Sequence, residues 1–434
     1  MNAPSTTLFC ARYLLPIGAP PIEDGGLLVR DGHILAVDRR KNLRSAVPGV
    51  ELIDFGDAVL LPPMANAHTH LELTDFPVWA ETIGTTERPE NFVDWLLSLV
   101  RVRRNVDGQA IAASLSNGLR QSLQAGTGLV GDICTTFEAT QAYQRSPLSG
   151  RVFAEVLGYD DLSIDQRLAQ IDAETVQSPG PWLEWGVSPH APYTLSARAL
   201  DRVCAFAASR SLPCAVHLAE SREETQFLQQ GSGAIAERLC AAAGWRPDAR
   251  VTSGDSPVAA LCRPGRLKAG DLVIHGVQVD ADDMTRLRKV GCSVVLCPRS
   301  NAALQVGKAP LRDYLQAGVN LCLGTDSLAS APNLSLWEEL AFARSWFAGE
   351  LEPARWLELA TCGGARALGF EDRTGHFAPG CDASFQVVRL ADSVAVAELE
   401  ESLCAAGSVI RVSSLYLAGQ NVLPDGRVSS NGTS

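Results

Sequence analysis

The chain has 434 residues, 46% of them apolar and 20% charged, and 37 basic against 49 acidic side chains leave a net charge of −12. That length exceeds one small module, at about 150 residues per domain, and the composition suits a chain that buries a sizeable core, not a disordered or fibrous one. Proteins that bind phosphate backbones by charge are ordinarily basic, so nucleic acid is excluded as the main partner.

The first residues, Met1–Pro16, lack a basic region followed by a long apolar run, and no secretory signal is expected. No stretch approaches ~18 uninterrupted apolar residues, so no membrane span is expected. From Thr7 to Asp57 the pattern is of short strands and turns, such as Glu23-Asp24-Gly25-Gly26 and Arg30-Asp31-Gly32-His33. A different rhythm then sets in. Short apolar runs end near Ala67, Cys134, Gly158, His190, His217, His275, Pro298 and Asp326, and amphipathic stretches such as Phe92–Arg104, Ile111–Gln124 and Ala197–Ser209 lie between them. Apolar runs without alternation, joined by helices, read as parallel strands buried on both faces. The expected fold is α/β: a (β/α)8 TIM barrel over residues 58–370. Residues 1–57 and 371–434 are expected to form one small composite β-sandwich, with Ser429–Ser434 disordered. Two glycine patterns, Gly126–Gly131 and Gly231–Ala236, mimic dinucleotide fingerprints, but each follows a helix and reads as a turn. Twelve cysteines are scattered without a CxxC pair, several in strand-like runs where thiols pack as small core residues. That usage points to the reducing cytoplasm.

Five of the seven histidines, with Asp326, fall at predicted strand ends, where barrel enzymes keep their chemistry. His68 and His70 form His-Thr-His, and residues i and i+2 of a strand share one side. Neutral imidazoles with one carboxylate suit a divalent ion, Zn2+ first and Fe2+ or Mn2+ as alternatives. The expected ligands are His68, His70, His217 and Asp326, leaving a position for water, whose pKa such an ion lowers to roughly 7. Glu220, three residues after His217, is placed to carry protons. His275 is placed to stabilise developing charge, and His190 to contact substrate. His33 and His376 read as histidines of the β-rich ends. No lysine lies between Lys41 and Lys268, so a lysine-bridged metal pair is excluded and a single ion is expected. The chain carries no HExxH, GxSxG, P-loop or cysteine-ligated deaminase signature.

The segments PPMANAHTHLE (Pro62–Glu72), SPHAPYTLS (Ser188–Ser196), VHLAES (Val216–Ser221), VIHGV (Val273–Val277), CPRSN (Cys297–Asn301), GTDSLAS (Gly324–Ser330) and GHFAPGCDA (Gly375–Ala383) occur in that order. Together they resemble the amidohydrolase superfamily, in its mononuclear aminohydrolase branch. One departure is Pro63, where that family usually has glycine. The resemblance implies the same ligands and the same Glu220 and His275 roles, a small-molecule substrate, and a homodimer as a common assembly. Members deaminate nucleobases and adenine nucleosides, including thioadenosine and S-adenosylhomocysteine, or displace chloride from triazines. CPRSN with HLAES-x-EE is most similar to the deaminases of 6-amino-6-deoxyfutalosine, in the futalosine route to menaquinone. That nucleoside carries a benzoate, and Arg299 is the expected partner of its carboxylate. Ser330, and Trp79 and Glu87 in the long insert Thr74–Pro89, are further expected substrate contacts.

Overall fold

The computed structural model describes residues 6–85, 89–245, 254–390, 394–405, 407 and 410–423. Glu87 and the expected disordered end Ser429–Ser434 lie outside these residues. Eight short strands follow the predicted apolar runs: Met64–Thr69, Thr127–Cys134, Ser149–Val156, Leu183–Pro189, Ala215–Leu218, Leu272–His275, Ser293–Leu296 and Asn320–Leu323. Nearly all their residues are buried, as strands covered on both faces must be.

The first four strands form one parallel sheet and the last four another. Isolated parallel bridges join the two at both edges, Val187 to Cys214 and Thr69 to Asp326. The second junction matters for function. Asn66 donates from Nδ2 to Thr325 Oγ1 at 2.8 Å and accepts from Thr325 N–H at 3.0 Å, while Asp326 N–H donates to His68 O at 3.1 Å. Gly324 allows the approach: a Cβ there would lie 2.8 Å from His68 O and 2.9 Å from His68 Cβ.

Helices between the strands follow the amphipathic segments, and their ends have local causes. Asn91, Asp107, Asp160, Ser196 and Ser221 each cap a helix through the side-chain oxygen, satisfying an otherwise unpaired N–H. Gly231 closes helix Arg222–Gln230 in the left-handed region, so the second glycine pattern is a helix cap. Gly126 turns the chain directly into strand Thr127–Cys134, which disposes of the first.

Strands from the two chain ends pair. Phe385–Arg389 runs antiparallel to Val59–Leu61, joining strands from both ends in one eight-stranded sheet around Phe9, Phe55, Phe385 and Tyr416. Val59–Leu61 belongs to this terminal sheet, and the next residues carry the chain into the first parallel strand. His33 there faces Asp382 at 3.5 Å and His376 faces Cys381, away from any cluster of imidazoles. All twelve cysteines are free thiols. No helix among the described residues is long and apolar enough to cross a membrane.

Candidate active site

The C-terminal ends of the parallel strands bring His70, His190, His217, His275 and Asp326 to the floor of a single cavity of about 550 Å³, with His68 packed beside His70 and His217. His68 and His70 leave the first strand on the same side, as the period of two requires. His217 comes from the fifth strand, His275 ends the sixth and Asp326 follows the eighth. His275 (φ 72°) and Asp326 (φ 57°) both adopt left-handed backbone, a strained choice for such residues that swings their side chains to the strand ends.

The nitrogen positions test the expected ion. His217 Nδ1 lies 3.1 Å from the His190 carbonyl oxygen, which can only accept. Nδ1 therefore carries the proton, and Nε2 keeps a lone pair. That Nε2 lies 3.3 Å from His70 Nε2, and both ring nitrogens of His68 are buried without a hydrogen-bond partner. His68 Nε2 and His70 Nε2 stand 3.5 and 3.7 Å from Asp326 Oδ1. Burial, reinforced by the neighbouring imidazoles, pushes His70 down to about 3 and holds His217 well below the ordinary histidine range. Ring nitrogens converging on one carboxylate oxygen fit a divalent cation. His68, His70 and Asp326 form one such group, and His68, His217 and His275 another.

The surrounding side chains orient this cluster. Asp326 Oδ2 lies 2.6 Å from Ser300 Oγ and 2.9 Å from Ser330 Oγ, so two hydroxyls hold one oxygen and leave Oδ1 toward the imidazoles. His275 Nδ1 lies 2.9 Å from Asn301 Oδ1, and its Nε2 is 3.5 Å from Glu220 Oε1. Burial, with Asp326 and the nearby glutamates, raises Glu220 well above the usual carboxylate range, so it is poised to give up a proton. Glu224 accepts the N–H groups of Ala219 and Glu220 at 3.1 and 2.8 Å and thereby fixes the loop that carries Glu220. His190 lines the cavity with Nδ1 3.0 Å from Thr194 Oγ1 and Nε2 3.9 Å from Glu155.

Other expected contacts are placed elsewhere. Arg299 does not line the cavity. Its five donors are taken: Nε by Glu339, Nη1 by Asn333 Oδ1 and Glu338, and Nη2 by the carbonyls of Asn333 and Ser335. No donor is left for a substrate carboxylate, and its role is to brace the segment before Ser300. Ser330 holds Asp326 and does not face the cavity. Trp79 sits on helix Phe76–Ile83, packed near Leu73 and Phe76, and also lies off the cavity lining.

Sequence reasoning missed several wall residues: Glu72, Trp95, Arg103, Arg104 and Glu155. Glu72 follows His-Thr-His by two residues, and that position was its only sequence signal. It accepts from the N–H of Thr135 at 3.1 Å and from its hydroxyl at 2.5 Å. Burial raises Glu155 to about 7, against the opposing charges of Arg167 and Arg103.

Residues 59–421 match the model of the amidohydrolase family. The chain belongs to that family. It is therefore a hydrolase acting on carbon–nitrogen bonds other than peptide bonds. It is 32% identical to the aminodeoxyfutalosine deaminase of Deinococcus radiodurans, over 80% of this chain and 81% of that one. It is 29% identical to a 5-methylthioadenosine/S-adenosylhomocysteine deaminase of Nitratidesulfovibrio vulgaris, over 85% and 80% of the two chains. Among solved structures it resembles the aminofutalosine deaminase of Helicobacter pylori, with TM-score 0.82 and 22% identity, covering 96% of this chain and 100% of that one. Likeness over the whole length, with family membership, makes the eight parallel strands those of a TIM-barrel fold.

Proposed function

We propose that this protein is a hydrolytic deaminase of an adenine-type nucleoside, with 6-amino-6-deoxyfutalosine as its substrate and Zn2+ as its ion. The observation that carries the class is the buried Glu220 set 3.5 Å from His275 Nε2, beside imidazoles grouped with Asp326. The substrate rests on the 32% identity to a relative of that activity.

The reaction adds water to the amine-bearing ring carbon and releases ammonia. His68, His70, His217 and Asp326 would hold the cation, which when bound supplies the acidity that makes water a nucleophile at neutral pH. Glu220 gives its proton to the ring nitrogen beside the attacked carbon, removing the negative charge that addition would leave there. With Nδ1–H donating to Asn301 Oδ1, His275 presents the lone pair of Nε2 and takes a proton from the incoming water. It then stands as an imidazolium beside the developing charge. His275 then returns its proton to the amine, which leaves as ammonia while the hydroxyl proton passes to Glu220 and the ring carbon becomes a carbonyl. His190 and Trp95 line the same cavity and contact the nucleoside.

The test is ammonia release from 6-amino-6-deoxyfutalosine, methylthioadenosine, S-adenosylhomocysteine and guanine, with chloride release from a chlorotriazine alongside. The expected result is metal-dependent ammonia, fastest from the carboxylated nucleoside. Silence from every amine with chloride released would overturn the deaminase reading. Faster turnover of methylthioadenosine would overturn the substrate.

A further inference from the structure

Deamination leaves one part of the cavity without a task. Helix Phe92–Arg103 is tied at one end by Trp95 Nε1 donating to Ala329 O at 2.9 Å, and at the other by Arg103 Nη2 donating to Thr135 Oγ1 at 3.3 Å. Eight residues separate these ties, about 12 Å of helix. Leu96, Leu99, Val100 and Arg103 recur at the spacing of one helical face, and all line the cavity. This wall is therefore apolar until it reaches the helix end, where Arg104 follows Arg103 into the lining.

The two guanidinium groups are underused. Arg103 has a single side-chain hydrogen bond, to a neutral hydroxyl, and Arg104 has no side-chain hydrogen bond or ion pair among the described residues. Arg103 also feels the charges of Glu72 and Glu155, but it makes no hydrogen bond or ion pair with either among the described residues. Glu72 is bonded twice by Thr135, and Glu155 has Arg167 as its leading opposite charge. A helix C-terminus is stabilised by any cation in its last turn, and Arg101 supplies one outside the cavity. Among the described residues, one of the ten guanidinium donors of Arg103 and Arg104 is bonded to protein, in contrast with Arg299, whose five are all taken.

We propose that Arg103 and Arg104 form an anion subsite that reads a carboxylate carried on an apolar, aryl arm of the nucleoside. The inference rests on the deaminase reading and deepens it by naming the residues that select the substrate. A planar carboxylate matches the guanidinium fork, and an aryl ring matches the leucine and valine side chains leading to it.

The test compares 6-amino-6-deoxyfutalosine with its carboxamide. Wild-type protein is expected to favour the carboxylate in kcat/KM by roughly tenfold to a hundredfold, through KM. Arg103→Met and Arg104→Met are each expected to remove most of that preference. The second loses no side-chain hydrogen bond or ion pair among the described residues, so it remains informative if the first unfolds. A preference that survives both substitutions, or equal kcat/KM in the wild type, overturns the subsite. Calorimetric titration of the wild type and Arg104→Met with the same two compounds tests the subsite without turnover. Carboxylate-selective binding lost in the variant supports it even without ammonia release, which would count against the deaminase reading alone. Absent or unselective binding overturns the subsite.

Discussion

The floor and the wall of the cavity are built on opposite principles. On the floor, Asp326 is held by two hydroxyls, His217 by a carbonyl, His275 by Asn301 and the Glu220 loop by Glu224. Each of these groups has a fixed protein partner, which sets its direction before any substrate arrives. The wall formed by helix Phe92–Arg103 is mainly apolar, with two arginines whose donors are largely unspent. A preorganised floor performs one reaction, and an unsaturated wall selects the molecule that undergoes it. Substitutions in the two regions should fail in different ways.

The largest effect is expected at the floor. Asp326→Asn should cut kcat by roughly a thousandfold or more, the scale of losing a charge used in the transition state, with circular dichroism unchanged. Retained turnover would remove Asp326 from the chemistry. Glu220→Gln should lower kcat roughly 10²- to 10⁴-fold with little change in KM; a loss confined to KM would make Glu220 a binding group instead.

Arg299→Ala sharpens the contrast. It strands Glu339, which is fully buried, and should cost about 3–5 kcal/mol of stability in denaturant unfolding. Carboxylate and carboxamide substrates should suffer alike, because no Arg299 donor faces the cavity. A selective loss on the carboxylate would restore Arg299 as its partner. Ser330→Ala leaves Ser300 still bonded to Asp326 and should cost roughly tenfold in kcat, with no effect if Ser330 only lines the loop.

The floor was legible in the sequence because strand geometry is simple. His-Thr-His on a period of two, and single polar residues closing apolar runs, put His68, His70, His217, His275 and Asp326 on one rim without any knowledge of contacts. Direction was not legible. Arg299 sits at a strand end like the histidines, but its side chain turns to Glu339, forty residues away in sequence, and only packing shows that. The wall was hidden for a related reason. Phe92–Arg104 reads as an amphipathic helix, and nothing in its pattern says whether the apolar face meets other helices or an open cavity. The terminal sheet was legible as two β-rich ends, while the register Gln386 to Leu61 that joins them depends on long-range pairing.

The most direct measurement is titration of metal-stripped protein with Zn2+, reading the initial rate of ammonia release from 6-amino-6-deoxyfutalosine against bound metal. The account predicts no release without metal, a linear rise, and a plateau at one ion per chain. Release from the metal-free protein, or a plateau reached only at two ions, would contradict a single-cation deaminase built on these strand ends.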